Sequence, residues 1–166
     1  MGEQSIVCDT SLLLYLGRLK KAYILPDLYK RVCVPEKVVL ELDAGRLLRS
    51  DTIDPRQIDR VKVVSVSQKQ IDDLPPNKLG IGEQSVIAYA TNQTNFVAGL
   101  DDRVARLFAN QLGLEVVGMI GVLIKAKRVG LIPSVRPLLE EAQAQGFRMS
   151  IELHQVALRL AGEGTG

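Results

Sequence analysis

The sequence predicts an α/β fold in three layers, with a central, mostly parallel sheet of five strands between helices. Five short runs of β-favouring apolar residues alternate along the chain with stretches in which apolar residues recur at helical spacing. Such alternation is typical of right-handed βαβ units, which build parallel sheets covered by helices on both faces. The length of 166 residues suits one domain. We therefore predict an α/β domain over residues 1–130 and a C-terminal helical appendage of the same domain over 131–166.

The composition indicates a globular chain with an aliphatic core. Hydrophobic residues make up 46% of the sequence and charged residues 24%, whereas aromatic residues make up only 4% and tryptophan is absent. The net charge of +2 excludes a polybasic binder of the histone type, although a weakly basic chain can still bind nucleic acid locally. No targeting or membrane-spanning segment is visible, so we expect a cytoplasmic protein that has no membrane partner.

Each β-favouring run is followed by a helical pattern. The first run ends at Asp9, where Thr10 and Ser11 can cap the next helix. Pro35 falls where a helix accepts proline, in its first turn, and that helix is interrupted at Gly45. The predicted strands are 6–8, 31–34, 61–66, 96–100 and 114–117. The first predicted helix starts at residue 10, and the last is capped by Ser150. Between them, helices are predicted over 36–42, 46–49, 68–74, 83–92, 103–112, 120–129 and 133–145.

Counting residue types excludes several chemistries. The chain has one histidine, His154, which argues against two-histidine hydrolysis and against a histidine-rich zinc site. Cys8 and Cys33 each lie within an apolar run, which predicts buried free thiols rather than a disulfide. The sequence has no glycine-rich motif that would cradle a phosphate. The carboxylates are therefore the main candidates for a functional site.

Acidic side chains follow two of the predicted strands. Asp9 ends the first strand, and Asp101 and Asp102 end the fourth. Ligands of open parallel sheets bind beyond the carboxyl ends of the strands, but an aspartate there also suits the cap of the next helix. Glu41 lies within an apolar helical run and Glu83 in the first turn of a helix, where each has an ordinary structural explanation. These acids point to a metal site only as a set.

Five stretches that cover nearly the whole chain carry a family resemblance. They are IVCDTS (6–11), VPEKVVLEL (34–42), GIGEQSVIA (80–88), LDDRVA (100–105) and GVLIKAKRVGLI (121–132). In this order they resemble the PIN-domain superfamily, and most closely its bacterial and archaeal subgroup of PIN-like nucleic-acid-binding proteins of unassigned role. No single stretch is diagnostic, whereas the ordered set is fairly specific.

The resemblance implies a ribonuclease-type site that binds one or two Mg²⁺ or Mn²⁺ ions through three or four carboxylates. The catalytic acids map to Asp9, Glu41, Glu83 and Asp101, and the metal ligands to Asp9, Glu83, Asp101 and Asp102. Of the adjacent pair we prefer Asp101 as the ligand and expect Asp102 to support the site or to cap its helix. Carboxylate oxygens suit these hard ions, and the chemistry needs no protein nucleophile.

Two hydroxyl positions of the family pattern, one after the first acid and one before the last, have different outcomes in this sequence. Thr10 or Ser11 resembles the small hydroxyl residue that follows the first acid and is expected to hydrogen-bond the site. The common pattern also has a threonine two residues before the last acid. Here that position is Gly99 or Leu100, depending on which aspartate is counted, so the hydroxyl is missing.

The resemblance also implies a nucleic-acid substrate and protein partners. Arg103 and Arg106 follow the last acids and can contact a phosphate backbone, although arginines on a solvated helix face are common. We expect single-stranded RNA as the substrate and a homodimer formed through the helices after Gly130. A narrower form of the hypothesis is a toxin that is paired with an antitoxin protein.

Two other functions of similar parallel sheets do not fit the sequence, and one alternative does. A phosphoaspartate receiver needs an aspartate after the third strand and a lysine after the fifth, and neither is present. A haloacid-dehalogenase-type phosphatase needs an Asp-x-Asp motif, whereas Asp9 is followed by Thr10 and Ser11. A non-catalytic PIN-like module that binds nucleic acid or regulates a partner stays open, because the motif at the fourth strand is irregular.

Overall fold

A five-stranded parallel sheet forms the centre of the fold. The computed structural model describes residues 4–164. Its strands are β1 (Ser5–Cys8), β2 (Val32–Pro35), β3 (Val61–Val64), β4 (Phe96–Gly99) and β5 (Val116–Val117). They lie in the order β3-β2-β1-β4-β5, and every neighbouring pair is parallel. Helices cover both sides of this sheet, which confirms the predicted three-layer α/β/α class.

Helices follow the strands in the alternation that the sequence predicts. They are α1 (Thr10–Arg18), α2 (Leu25–Leu28), α3 (Glu36–Leu48), α4 (Gln68–Asp72), α5 (Ile81–Thr91), α6 (Arg103–Gln111), α7 (Met119–Arg128), α8 (Arg136–Ala144) and α9 (Ile151–Leu160). Short 3₁₀ turns occupy Ala22–Ile24 and Pro55–Gln57. Among the described residues 4–164, no helix is both long and apolar enough to cross a membrane.

The position of β1 determines where a ligand can bind. This strand pairs with β2 on one side and with β4 on the other, and Cys8 lies opposite Gly99. The sheet therefore grows in opposite directions from β1, and the segments that follow β1 and β4 diverge at its carboxyl edge. Such a topological switch point is where open parallel sheets form their binding crevice.

The core is aliphatic, as the composition predicts. Ile6 and Val7 of β1 are fully buried, and Leu12, Leu13 and Leu16 of α1 are buried in the same hydrophobic cluster. Burying a leucine of this kind contributes about 1.5–3 kcal/mol to folding. The two cysteines of the first two strands are buried free thiols, which confirms that prediction.

Helix α3 runs through Gly45 without interruption, so the predicted break is wrong. A helical glycine costs only about 1 kcal/mol relative to alanine. The turn around it is held by other contacts: the amide of Arg49 donates to the Gly45 carbonyl (2.9 Å). In addition, the Arg46 guanidinium pairs with Asp43 and donates to the carbonyl of Ile53 (2.9 Å). These contacts favour one continuous helix.

Several boundaries also differ from the prediction. Pro35 closes β2 and precedes α3, so it does not lie in the first turn of the helix. Strand β3 ends at Val64 rather than at residue 66, because its partner strand ends at Pro35, opposite Val64. The segment from Ala22 to Leu28 forms a short 3₁₀ turn and helix α2, which the sequence analysis did not predict.

The C-terminal helices share the core of the α/β domain. Leu139 of α8 and Ala157 of α9 are buried in the same hydrophobic cluster as the sheet. Glu163 fixes the end of this segment: its carboxylate accepts the amides of Val135 (2.7 Å) and Arg136 (3.0 Å) and pairs with Lys127 of α7 (3.0 Å). The inner faces of these helices therefore pack against their own chain.

Candidate active site

Asp9 lies at the centre of the candidate site, directly after β1. Its side chain is only 3% exposed, and Oδ1 accepts the amide of Thr10 at 2.7 Å. Asp9 is thus the cap of α1, and the prediction that Thr10 or Ser11 caps this helix is wrong. Burial raises the pKa of Asp9 to about 7 against the lowering effect of the Thr10 hydrogen bond. A buried carboxylate with so little compensation favours a cation as its partner.

Glu41 approaches Asp9 from α3. Its Oε1 accepts a hydrogen bond from the Thr10 hydroxyl at 3.2 Å. The approach depends on Gly82, because a Cβ atom there would overlap Glu41 Oε1 and lie 3.5 Å from Asp9 Oδ1. Ser11 is half-buried in the first turn of α1, and among residues 4–164 no hydrogen bond joins it to these carboxylates.

Glu83 caps the N-terminus of its own helix, α5. Its Oε1 accepts the amide of Gly80 at 3.2 Å, so the ordinary role of a first-turn glutamate is present. Burial raises the pKa of Glu83, the Gly80 hydrogen bond opposes this, and the negative charges of Asp102 and Glu41 raise it further. Glu83 is therefore both a helix cap and a member of the acidic group.

Asp101 and Asp102 make different contacts although they are adjacent. Asp102 is exposed and caps α6 through Oδ2, which accepts the amide of Ala105 at 3.0 Å, as expected for the second acid. Asp101 Oδ1 accepts the amide of Met119 at 2.9 Å, next to Gly118, where a Cβ atom would lie 2.6 Å from the same oxygen. Asp101 Oδ2 is buried and has no hydrogen-bond partner within the described chain.

The acids at the carboxyl edge of the sheet interact electrostatically with one another. Glu83, Glu41 and Asp101 all raise the pKa of Asp9, and Asp102 acts on Glu83. Burial also raises the pKa of Asp101, while its hydrogen bond from Met119 and the charge of Arg106 lower it. Asp9 is therefore close enough to three other carboxylates to be affected by their negative charge.

The acids do not, however, stand as a preformed cage. Within residues 4–164, no three aspartate, glutamate, histidine or cysteine side chains are placed so that they could hold a metal ion together. Hydrogen bonds hold the side chains in other directions: Glu83 bonds to Gly80, and Asp101 bonds to Met119. Ligation by the whole set therefore requires some of these side chains to move.

The donor set nevertheless fits a hard divalent ion. Asp9 is a nearly inaccessible carboxylate, and Asp101 has a buried oxygen without a partner. Such groups are costly unless a charge or a donor compensates them. Carboxylate oxygens are the ligands that Mg²⁺ and Mn²⁺ prefer. The described residues therefore supply suitable ligands at the correct edge of the sheet.

Sequence reasoning missed the residues that make room for the acids. The sequence analysis assigns no role in the site to Gly82 or Gly118. The available signal is that Gly82 directly precedes Glu83 and that Gly118 precedes α7. Arg103 and Arg106, which the sequence analysis names as possible phosphate contacts, line a cavity of about 440 Å³ together with Asp101.

The fold and the site together define an α/β domain with a group of acids at the switch point of a parallel sheet. A family model described as a PIN domain matches residues 5–163, and the chain belongs to this family. PIN domains are a nuclease superfamily and generally use divalent metal ions. No curated protein matches the sequence at a significant level.

Proposed function

We propose that this protein is a metal-dependent endoribonuclease of the PIN type that cleaves single-stranded RNA. The observation that carries the proposal is Asp9, a buried carboxylate at the switch point whose pKa is raised and whose neighbours are Glu41, Glu83 and Asp101. A purely structural cap would not need three further acids around it. The family membership supports a nuclease, and the acids supply the ligands that such a nuclease requires.

Each acid has a proposed role. Asp9, Glu83 and Asp101 would hold Mg²⁺ or Mn²⁺, with Asp102 beside them, and Glu41 would complete the catalytic set. When bound, such an ion activates a water molecule and stabilises charge on the scissile phosphate. The hydroxyl of Thr10 orients Glu41 through its 3.2 Å hydrogen bond. Arg103 and Arg106 bind phosphate next to Asp101.

A non-catalytic nucleic-acid-binding or regulatory module is the second candidate. The observation that favours it is the Met119 amide, which already occupies Oδ1 of Asp101, together with Glu83, which is engaged by Gly80. A domain that keeps these local bonds would retain the fold and the basic cavity without cleaving RNA.

Protein partners form part of the same proposal. The outer face of α9 exposes Val156 and Leu160, and an apolar helix face of this kind suits a second copy of the chain. The same face would suit an antitoxin protein if the nuclease is a toxin. Placement in the bacterial and archaeal subgroup of the family also remains a prediction.

An Mn²⁺-dependent cleavage assay on single-stranded RNA tests the proposal. We expect wild-type protein to cleave the RNA and Asp9→Asn to be inactive at the same ion concentration. Asp59→Asn is the matched control, because Asp59 is exposed and precedes β3 at the opposite edge of the sheet. Equal cleavage by wild type and Asp9→Asn would contradict the proposal, and RNA binding without cleavage by wild type would establish the non-catalytic alternative.

A further inference from the structure

A cavity beside Asp101 is lined by arginines from two distant parts of the chain. Arg103 and Arg106 come from α6, whereas Arg148 comes from the segment between α8 and α9. The cavity has a volume of about 440 Å³, which falls within the range of about 300–1,000 Å³ that is usual for small-ligand sites. The C-terminal segment therefore contributes directly to the surface around the acidic group.

The arginines of this cavity form no ion pair with a carboxylate within residues 4–164. Arg106 nevertheless lies beside Asp101, and its charge lowers the pKa of that acid. Three guanidinium groups that line one cavity attract an anion, and a planar guanidinium suits a phosphate in particular.

The position of Arg148 is fixed by the way helix α8 ends. Gly146 has a φ of +104°, and its amide donates to the carbonyl of Gln143 (3.0 Å) while the amide of Phe147 donates to that of Ala142 (2.9 Å). This pair of bonds is a Schellman motif, which requires a left-handed residue at this point. Arg148 therefore follows a rigid turn rather than a loose loop.

Apolar side chains also line the cavity. Phe147 packs edge-on against Tyr15 with 5.1 Å between the ring centroids, which fixes its ring at the cavity. Leu107 and Leu153 line the same space and are 51% and 43% exposed. A lining of both apolar and basic side chains matches a nucleotide, whose base is apolar on its faces and whose phosphate is anionic.

We infer that this cavity holds one nucleotide of a single-stranded RNA next to the phosphate that is cleaved. Its phosphate would lie among Arg103, Arg106 and Arg148, and its base against Phe147 and the two leucines. The inference rests on the proposed function and adds the C-terminal segment to the substrate-binding surface. It makes Arg148 a residue that positions the substrate.

Equilibrium RNA binding without divalent ions tests the inference separately from cleavage. A fluorescent single-stranded RNA oligonucleotide would be titrated with the full chain in EDTA at several salt concentrations. We expect Arg148→Ala to weaken binding about tenfold at low salt and to reduce the slope of log affinity against log salt by about 0.7, the value for one lost phosphate contact on a single strand. The control is Arg159→Ala, which removes an exposed arginine of α9 that does not line the cavity.

The outcomes distinguish this inference from the proposed function. Equal losses in Arg148→Ala and Arg159→Ala, or no RNA binding by wild type, would overturn the inference, and the Mn²⁺ cleavage assay would still decide whether the protein is a nuclease. Phe147→Leu provides a second variant, for which we expect weaker binding with an unchanged salt slope because stacking carries no charge. A changed slope in that variant would contradict the assignment of the base to Phe147 and the two leucines.

Discussion

Gly99 and Leu12 pack so closely that a Cβ atom at position 99 would lie 2.6 Å from Leu12 Cδ2 and 3.2 Å from the Val7 carbonyl. This contact gives a physical reason for the departure from the family pattern at the fourth strand. Leu12 of α1 fills the space into which a threonine side chain would point. The missing hydroxyl is therefore a consequence of packing between α1 and β4, and it does not by itself indicate that the acidic group has decayed.

The same pair of strands brings the acids together. The amide of Asp9 donates to the carbonyl of Gly99 at 2.9 Å, so the ends of β1 and β4 are held side by side. Asp101 follows two residues later and reaches the amide of Met119. The acidic group thus depends on backbone pairing in the centre of the sheet.

Replacing Gly82 by alanine should separate activity from stability. The new methyl group would displace the Glu41 carboxylate, which is the flexible end of an exposed side chain, so we expect little change in the free energy of unfolding. We expect RNA cleavage to fall roughly tenfold to a hundredfold, the usual cost of disturbing a group that supports metal ligands. Melting curves and the Mn²⁺ cleavage assay measure the two effects.

Gly45→Ala is the matched control for that variant. Gly45 is also helical, and the nearest atom to an added Cβ is Thr52 Cγ2 at 3.6 Å, an ordinary contact. We expect stabilisation of about 0.5–1 kcal/mol and unchanged cleavage. Loss of cleavage in Gly45→Ala as large as in Gly82→Ala would contradict a specific role for the space at Gly82.

The sequence predicts the position of the acids better than their directions. Strand ends can be read from apolar runs, so Asp9 and the pair at 101–102 fall at the correct edge of the sheet. Whether Asp101 or Asp102 faces α7 depends on the backbone after β4 and on the missing side chain at Gly118. Such choices involve residues far apart in the sequence, which local patterns do not encode.

Divalent ion should stabilise the folded protein. Binding to the native state alone contributes about 2.7 kcal/mol at a hundredfold excess over Kd, by mass action. The ion is attracted by Asp9 and the acids that raise its pKa. We expect Mn²⁺ to raise the melting temperature of wild type and of Asp59→Asn, but not that of Asp9→Asn. An unchanged midpoint for wild type at saturating Mn²⁺ would count against a metal site.

Stability without metal should fall as the pH rises from about 4 to about 7. The pKa of Asp9 is about 7 in the folded protein and about 3.9 in an unfolded chain. The folded state therefore binds more protons between these values, and this contribution is complete below pH 4 and lost as the pH rises through 7. Urea unfolding in EDTA at several pH values measures it.

Asp9→Asn provides the control for the pH series. Asparagine does not titrate, so we expect a flatter profile and a protein that is more stable than wild type at pH 8. The other acids contribute to both profiles, and the difference between the two variants isolates Asp9. Parallel profiles for wild type and Asp9→Asn would show that burial does not raise this pKa in solution.

Dimerisation should depend on the outer face of α9. Its inner side chains, Ala157 and Leu158, are buried within the chain, whereas Val156 and Leu160 on the other side remain 39% and 55% exposed. We expect sedimentation at micromolar concentration to give a dimer for wild type and a monomer for Leu160→Glu, because a charge on an apolar interface is desolvated without a partner. The control is Leu48→Glu, since Leu48 of α3 is 93% exposed and lies away from α9 in the sequence. A strictly monomeric wild-type protein would show that this face does not pair with a second copy, and loss of the dimer in Leu48→Glu alone would place the interface on α3.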